Sequence, residues 1–414
     1  MTTEVREKLY RYRWVILTVA WLSFLTVFLV RGGIGPLAPF VMESLHISRS
    51  QVQSLGSIVG ITYLPTMLLA GWMVDRIGVR RILVFGTFIT GISTTALFFA
   101  PSYQGMLTIM ALSGLGSACI FPSAVKAIIS WFPLRERATV MGINQTAINA
   151  SGIIGGSLLP TVAIALGWKY GLLFLGLMTL AVSISCALLY RNPPQEGQPG
   201  VPEDTQSSLS PQPSKSQLMS SLFRSRDIWM LFLAGFFINI VEWGLIGNLV
   251  LYLKEYLLFD VKIAGYLLAM TEAAGLLGKP ASGLISDRLL LGRRKIVFIV
   301  MAGAATIICL MLGLAGHVMQ WLLYPVLFIM GVVAIGWGGL YTALAGELAG
   351  EELAGVAGGT GGFALVLAAF LGPLFFAYIV DVTGSYPLAW LIMAVSGTIS
   401  VGFMFLVREH KRRI

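Results

Sequence analysis

Twelve long apolar runs dominate this 414-residue sequence and restrict what it can fold into. A helix needs about 20 apolar residues to cross the hydrocarbon core of a bilayer, and short polar or basic breaks separate runs of about that length. Only 11% of the residues are charged, against roughly 25% in soluble domains. The sequence therefore predicts an all-α membrane protein with twelve transmembrane helices, at 14–40, 50–74, 82–100, 104–130, 138–165, 168–190, 228–253, 262–286, 296–315, 319–345, 354–381 and 386–407.

Residues 191–226 differ in composition from the rest of the chain. They are rich in Pro, Ser, Gln and Gly and offer almost nothing to bury, which is typical of a disordered linker. We therefore expect an N-terminal six-helix bundle at 1–190, a cytoplasmic linker at 191–226 and a C-terminal six-helix bundle at 227–414.

The two halves repeat each other. The segment GWMVDRIGVRR begins at Gly71 and GLISDRLLLGRRK begins at Gly283, while Trp14 and Trp229 each open a half. These pairs are offset by about 212 and about 215 residues in the same order, which indicates duplication. Two pseudo-symmetric six-span repeats, related by an axis along the membrane normal, are one plan of secondary transporters.

The formal charge of +9 does not indicate nucleic-acid binding, because the basic residues are concentrated in particular breaks between spans. Lys and Arg accumulate in the cytoplasmic connections of membrane proteins, so we expect both termini to be cytoplasmic in a prokaryotic inner membrane. The start of the chain has no small-residue cleavage site, so we expect no cleaved signal peptide. The basic residues concerned are Arg6, Lys8, Arg11, Arg13, Arg76, Arg80, Arg81, Arg135, Arg137, Arg288, Arg293, Arg294, Lys295, Arg408, Lys411, Arg412 and Arg413.

The connection between the second and third spans carries a motif. In the second half it recurs in degenerate form; the residues are Gly71, Asp75, Arg76, Gly78, Arg80 and Arg81, then Gly283, Asp287 and Arg288. This motif resembles the signature of the major facilitator superfamily, and the resemblance covers the whole chain. It implies two six-helix bundles that rock about a central site.

The chemistry of the motif predicts a conformational latch. Gly71 would let a neighbouring helix approach closely. Asp75, at the end of a helix, can accept hydrogen bonds from an arginine or a helix N-terminus. Such contacts hold one conformation and break in another. The alternative for Arg80 and Arg81 is that they only set the topology.

The fourth and fifth spans resemble the organic-anion branch of the superfamily, which includes hexuronate and sugar-acid permeases and sialin-like carriers. The matching residues in GLGSACIFPSAVKAIISWFPLRERATVMG are Phe121, Pro122, Lys126, Trp131, Phe132, Pro133, Glu136, Arg137 and Gly142. Arg31, followed by glycines in the first span, fits the same branch. Ser117 stands on the segment where members often have a carboxylate. The eighth span, with Lys279 before a proline, resembles monocarboxylate and oxalate–formate carriers.

Buried basic residues are the strongest candidates for a substrate site. A charge inside a span costs roughly 2.5–3.5 kcal/mol on insertion scales, so Arg31 should lie on a water-filled cavity and bind a carboxylate. The alternative is a structural ion pair with Glu242 or Glu272. Lys126 and Lys279 would be secondary cationic contacts, although Lys126 could instead reach the inner headgroups.

Other polar residues complete the candidate site. Glu242 and Glu272 could carry a proton, or Glu242 could lock an arginine. Asn144, Asn248 and Tyr341 could line the cavity, with helix–helix contact as the alternative. We find no catalytic constellation, Walker sequence or metal-ligand spacing, and expect a non-enzyme without cofactor or metal.

The sequence thus predicts secondary active transport of a small organic anion, a carboxylate or sugar acid, by alternating access. Transport would be coupled to a proton or proceed by exchange. We expect the partners to be the anion and the lipid bilayer, and the protein to be a monomer. One alternative is efflux of drugs or lipophilic metabolites on the same fold, and a remote one is a membrane ligand sensor that does not transport.

Overall fold

The computed structural model describes residues 3–132, 134–192, 224–314, 320–349 and 354–408, which are helical apart from short turns. We number the membrane spans in chain order: span 1, Thr3–Gly32 and Ile34–Leu45; span 2, Arg49–Ile77; span 3, Val79–Ala96; span 4, Tyr103–Ala118 and Ile120–Trp131; span 5, Leu134–Leu166; span 6, Trp168–Leu189; span 7, Arg226–Leu251; span 8, Val261–Leu284; span 9, Arg294–Leu314; span 10, Gln320–Ile335 and Gly338–Ala349; span 11, Ala354–Thr383; and span 12, Tyr386–Leu406.

This architecture confirms the predicted all-α membrane fold. Eleven described segments are long and apolar enough to cross a membrane, and the two parts of span 2, bent by 51°, make a twelfth. No strand occurs in the described part of the chain. A 3₁₀ turn, Leu97–Phe99, ends span 3, and π turns at Tyr252–Tyr256 and Ile285–Leu289 end spans 7 and 8.

Several predictions fall outside the described residues. Most of the expected linker, 193–223, is among them, as are Pro133 and the C-terminal Lys411, Arg412 and Arg413. The side chains of Arg6, Lys8, Arg135 and Arg137 are likewise not described. Span 7 begins at Arg226, the last residue assigned to the linker.

Glycines with positive φ occur at matching turns in the two halves of the chain. Gly78, before span 3, has φ 94°, and Gly292, at the matching connection before span 9, has φ 79°. Gly167, before span 6, has φ 103°, and Gly384, before span 12, has φ 67°. Residues with a Cβ rarely adopt positive φ, so glycine is required at each turn. Positive-φ glycines therefore occur at equivalent connections of the two halves.

The described residues fall into two compact units. The first comprises those within Met1–Arg31, Ile58–Ser151 and Val162–Gln212. In it, span 3 packs closely on spans 4 and 6: a Cβ on Gly86 would lie 2.7 Å from Gly116 O, and one on Gly176 would lie 2.5 Å from Thr95 N. Small residues at such contacts allow helix backbones to approach each other in membranes.

The second unit comprises the described residues within Gly32–Ser57, Gly152–Thr161 and Pro213–Ile414. It contains spans 7 to 12, the end of span 1, the start of span 2 and the middle segment Gly152–Thr161 of span 5. Glycines again permit close packing, since a Cβ on Gly35 would lie 3.0 Å from Gly247 O and one on Gly156 would lie 2.7 Å from Gly265 O. These units follow packing, whereas the predicted boundaries follow the sequence repeat; the latter stay a prediction.

We predict that Gly78→Ala destabilises the protein although nothing lies within 4 Å of the new Cβ. The backbone at Gly78, φ 94° and ψ 153°, lies in a region that only glycine adopts readily, and forcing another residue there costs about 1–3 kcal/mol. The thermal unfolding midpoint in detergent measures the effect. Gly71→Ala is the control, because Gly71 is helical and also has open space around it. Equal midpoints for the two variants would contradict the expected strain.

Candidate functional site

Arg31 lies in the first unit, in the last turn of the first helix of span 1. It is half-buried and close enough to Tyr63 of span 2 to interact electrostatically. Tyr63 in turn faces Cys119, where span 4 is interrupted. The C-terminal end of a helix carries partial negative charge, so this position favours a cation. Its predicted role as the main anion ligand stays a prediction.

Lys126 forms an ion pair with the motif aspartate. Its Nζ lies 2.6 Å from Asp75 Oδ1 and donates to Val74 O at 3.3 Å. The Asp75 side chain is 71% exposed, and exposed pairs contribute only about 0–1 kcal/mol. Such a weak, specific contact suits a reversible latch. Lys126 was predicted as a substrate ligand, and that role stays a prediction beside the contact it makes here.

The remaining arginines of the motif in the first unit have different surroundings. Arg80 donates from Nε to Ala187 O at 3.2 Å, which joins the start of span 3 to the end of span 6. The Arg76 guanidinium lies 4.4 Å from the centre of the Trp72 ring, and Arg81 is exposed. These contacts fit both the latch and the topology interpretations.

The close helix approach expected at Gly71 is not made. A Cβ there would meet no described atom within 4 Å, and the same holds for Gly283 in the second half. The expected latch holds in one conformation and breaks in another, so this role of Gly71 stays a prediction. In this structure the glycine required by the motif is Gly78, through its backbone conformation.

The second copy of the motif also places its aspartate near a basic side chain. Asp287 Oδ1 lies 3.8 Å from Arg294 Nη2, and Arg294 Nε donates to Glu347 Oε1 of span 10 at 3.0 Å. Arg288 is exposed. The two halves thus use the aspartate similarly, with a lysine of span 4 in one and an arginine of span 9 in the other.

A group of three ionisable side chains lies inside the second unit. Glu242 of span 7, Glu272 and Lys279 of span 8 are close enough to interact electrostatically with one another. Glu272 is buried, while Glu242 and Lys279 are half-buried. We call Glu242, Glu272 and Lys279 the acid–lysine group. The structure therefore brings together three residues that the sequence predicted separately.

Glu272 packs directly against span 5. A Cβ on Gly152 would lie 2.5 Å from Glu272 Oε1, so only a glycine at 152 leaves room for the carboxyl group. Gly152 had not been singled out from the sequence. A glycine in an apolar span gives no sign by itself of which neighbour needs the space.

Span 10 is interrupted beside the acid–lysine group. Its two helices end at Ile335 and begin at Gly338. Two side chains supply donors at the interruption: Ser282 Oγ donates to Gly336 O at 2.9 Å, and Trp337 Nε1 donates to Ala334 O at 2.9 Å. Irregular backbone at membrane depth is tolerated only where its polar groups are satisfied within the protein or face a cavity.

Glycines bring spans 8 and 10 into backbone contact at this interruption. A Cβ on Gly278 would lie 2.6 Å from Val332 O, and one on Gly336 would lie 2.8 Å from the carbonyl carbon of Gly278. Lys279 follows Gly278 directly, so the contact fixes where the lysine leaves its helix. Broken helices of this kind surround the substrate and ion sites of many transporters.

Trp337 also contacts the acid–lysine group. Its Nε1 lies 3.0 Å from Glu242 Oε2, and the indole is 2% exposed. This contact was not predicted from the sequence. The signal that could have identified it is the run GWGG, in which glycines surround a tryptophan inside an apolar span.

The uncharged candidates have mixed surroundings. Asn248 Nδ2 donates to Gly244 O at 3.1 Å and to Pro373 O at 3.0 Å, which is a helix–helix contact. Asn144 and Tyr341 are each 2% exposed, and neither Asn144 Oδ1 nor Tyr341 OH has a hydrogen-bond partner in the described part of the chain. Buried polar atoms without partners are uncommon, which keeps both residues as candidates. Their assignment as ligands stays a prediction.

A second polar group in this unit was not predicted. Arg49 Nε donates to Glu255 Oε2 at 2.7 Å, Arg49 Nη1 lies 3.4 Å from Asp381 Oδ1, and Tyr386 OH donates to Glu255 Oε2 at 2.7 Å. We call Arg49, Glu255, Asp381 and Tyr386 the Arg49 group. It joins the start of span 2 to the ends of spans 7 and 11 and the start of span 12.

Asp381 also caps span 2 from another span. Its carboxylate accepts hydrogen bonds from Arg49 N at 3.1 Å and Ser50 N at 2.6 Å. The first N–H groups of a helix have no partner within it, and a carboxylate there is favoured by the helix dipole. Ser48 and Gln51 complete the end as a capping box, with Ser48 N donating to Gln51 Oε1 at 2.8 Å.

No group of three or more His, Cys, Asp or Glu that could hold a metal ion occurs among the residues that the structure describes. The three cysteines, Cys119, Cys186 and Cys309, are buried and free.

The sequence family follows from a direct match. A family model described as Major Facilitator Superfamily matches residues 20–373. The chain belongs to this superfamily. The resemblance inferred from the motif around Asp75 is thereby confirmed.

Relatives match along most of the chain. A "probable sulfoacetate transporter" of Cupriavidus necator is 27% identical over 410 residues, which is 95% of this chain and 94% of the relative. A "probable L-galactonate transporter" of Escherichia coli is 25% identical over 89% of this chain and 83% of its own length. A "membrane sensor protein" of Salmonella typhimurium is 25% identical over 95% of this chain and 92% of its own length.

A solved structure shows the same fold. A bacterial homologue of the human lysosomal transporter Spinster, in an inward-facing and unoccupied conformation, superposes with a TM-score of 0.78 at 17% identity. The match covers 96% of this chain and 97% of the homologue. At this identity the likeness concerns the fold.

We predict that Gly152→Ala destabilises the protein by about 1–3 kcal/mol, the usual cost of overpacking a filled interior. The added methyl group would displace the Glu272 carboxyl group. Glu272→Asp shortens that side chain and makes room for the methyl group. Gly152→Ala should therefore lower the unfolding midpoint less in the Glu272→Asp background than in the wild type. Thermal unfolding in detergent measures both. Gly142→Ala, on the same span with open space around it, is the control, and a Gly152→Ala midpoint equal to it would refute the contact.

Proposed function

We propose that the protein is a secondary active transporter that carries a small organic anion, a carboxylate or sugar acid, across the cytoplasmic membrane by alternating access. The observation that carries this proposal is a half-buried lysine, Lys279, held inside a span beside two carboxyl groups and an interrupted helix. The superfamily and the named cargoes of two relatives, sulfoacetate and L-galactonate, support it.

Arg31 and Lys279 would bind the anion. A guanidinium offers two parallel N–H donors that match a carboxylate, while an ammonium acts as a compact charge. Because a charge inside a span is costly, each of these cations would be offset best by a negatively charged ligand. Lys126 would contribute when its pair with Asp75 opens.

The acid–lysine group supports coupling to protons over simple exchange. With all three side chains ionised, Glu242, Glu272 and Lys279 carry one net negative charge. An anion arriving at Lys279 adds another, and two like charges about 4 Å apart repel by about 4 kcal/mol at an effective dielectric of 20. A proton on Glu242 or Glu272 removes this repulsion, so anion and proton would bind together.

The Arg49 group supports alternating access. It lies at the connections between spans 1 and 2, 7 and 8, and 11 and 12, which share one membrane face because successive spans alternate in direction. The basic connections lie at the other face, predicted to be cytoplasmic. The Arg49 group would therefore close the outer side in one state and separate in the other. The motif contacts of Asp75 and Asp287 would act at the inner side.

We predict that one class of organic anion stabilises the purified protein and that Arg31→Gln and Lys279→Gln abolish the effect. A ligand that binds only the folded state at 100 times its Kd adds about 2.7 kcal/mol. Thermal unfolding would be screened against mono-, di- and tricarboxylates, sulfonates, sugar acids and phosphate esters. Lys262→Gln, at an exposed position early in span 8, should respond like the wild type.

The same screen, followed by flux into proteoliposomes, separates the alternatives. Flux of the stabilising anion, accelerated by an inward proton gradient, supports the proposal. Stabilisation without flux would favour the sensor function suggested by the Salmonella typhimurium relative. Stabilisation by lipophilic drugs, retained in Arg31→Gln, would favour efflux.

We predict that linking the Arg49 group covalently stops transport. Ser50 N donates to Asp381 Oδ2 at 2.6 Å, so the two residues are in contact and a short, reducible bis-methanethiosulfonate cross-linker should join the thiols of Ser50→Cys/Asp381→Cys. Uptake should fall at least tenfold in the cross-linked double variant and return after reduction, while the reagent should not change uptake by either single variant. Full uptake by the cross-linked protein would show that this contact need not open.

A further inference from the structure

The indole of Trp337 makes one hydrogen bond to a titratable group and one to a helix end. Its Nε1 lies 3.0 Å from Glu242 Oε2 and 2.9 Å from Ala334 O. The ring is fixed by edge-on contacts to Phe298 and Tyr341, with centroids 5.6 Å away in each case. The single N–H is therefore shared between two acceptors, and the side chain has little freedom to choose between them.

The two acceptors differ in how their charge changes. Ala334 O is a backbone carbonyl with constant partial charge at the interruption of span 10. Glu242 is a carboxyl group, which accepts a hydrogen bond more strongly when it is ionised. The shared N–H thus connects the charge on span 7 to the broken part of span 10.

We propose that Trp337 is a positioning residue that holds the Glu242 carboxyl group against span 10 and sets how readily it exchanges a proton during transport. This inference rests on the proposed function, in which Glu242 is one of two candidate proton carriers. The charged groups that face Glu242 are Lys279 and Glu272, both on span 8. Trp337 supplies the contact from span 10.

The orientation of Glu242 matters because its neighbours act in opposite directions. Lys279 stabilises the ionised carboxylate and Glu272 destabilises it by like charge. A carboxyl group free to rotate would average these effects. One held by the indole keeps a fixed relation to both, and loses the N–H donor to its ionised form if the tryptophan is replaced.

Trp390 provides a matched control within the same unit. It is fully buried, and its ring lies edge-on to Phe376 at 4.9 Å and to Tyr252 at 5.3 Å. Its Nε1 has no hydrogen-bond partner in the described part of the chain. Trp→Phe therefore removes the same atoms at both sites, but only at Trp337 does it remove a donor to a carboxyl group.

The first experiment needs no substrate. In protein labelled with ¹⁵N-tryptophan, the indole signals of Trp337 and Trp390 are assigned by their loss in Trp337→Phe and Trp390→Phe. The Trp337 signal should shift with pH as Glu242 takes up or releases its proton, and Glu242→Gln should abolish that shift. The Trp390 signal should stay constant. A Trp337 signal that is independent of pH, or that titrates equally in Glu242→Gln, would overturn the inference even if the protein transports an anion.

The second experiment measures uptake into proteoliposomes as a function of pH. Trp337→Phe should move the midpoint of the pH profile to higher pH, because ionised Glu242 has lost a donor, and lower kcat/KM about tenfold. Trp390→Phe should keep the wild-type profile. In the Glu242→Gln background, Trp337→Phe should cause little further loss of kcat/KM, since both changes remove the same interaction. Additive losses, or identical profiles for the two tryptophan variants, would reject the positioning role.

Ser282→Ala distinguishes positioning from mere support of the broken helix. It removes the donor to Gly336 O but leaves Trp337 and Glu242 in place. We expect a lower thermal midpoint with an unchanged pH profile. If Ser282→Ala shifted the profile as Trp337→Phe does, the interruption itself and not the indole would govern Glu242. If no anion is transported at all, the proposed function fails, and the NMR titration alone decides the role of Trp337.

Discussion

A bilayer interior supplies no water, so the backbone N–H and C=O groups of a span must be satisfied within the protein or face a cavity. The meeting of spans 8 and 10 shows what this requires. Gly278 and Gly336 let two backbones touch, and Ser282 and Trp337 supply donors to the carbonyls of the interrupted helix. The same arrangement fixes the start of the Lys279 side chain and brings an indole to Glu242. Lys279 and Glu242 therefore lie beside the place where the helix hydrogen bonding of span 10 is interrupted.

The internal repeat preserves the positions of turn glycines more than side-chain chemistry. Gly78 and Gly292 have positive φ at matching connections, as do Gly167 and Gly384. The buried charges do not repeat: Arg31 faces the phenol of Tyr63 in one unit, while Lys279 faces two carboxyl groups in the other. The two halves thus share the glycines at their turns but not their buried charges. In the proposed function, this difference in charge would let one half bind an anion while the other also exchanges a proton.

The spans were predictable because the length of an apolar run is local information. The turn at Gly78 was also within reach, since its motif is contiguous. The contacts between spans were not predictable from the sequence. Examples are the ion pair of Lys126 with Asp75 and the open space around Gly71. A helix turns 100° per residue, from 3.6 residues per turn, so a small rotation changes which neighbour a side chain meets. The hydrogen bond from Trp337 to Glu242 was not predictable either, because tryptophans in spans usually pack or lie at the interface.

The two carboxyl groups beside Lys279 contact different parts of the protein. Glu272 is buried against Gly152 of span 5, whereas Glu242 is joined through Trp337 to span 10. A ligand shifts a conformational equilibrium only by as much as it interacts differently with the two states. In the proposed function, an anion at Lys279 would weaken the attraction that the lysine exerts on both carboxyl groups at once. One binding event would then bias contacts with two separate spans, which a lysine paired with a single acid could not do.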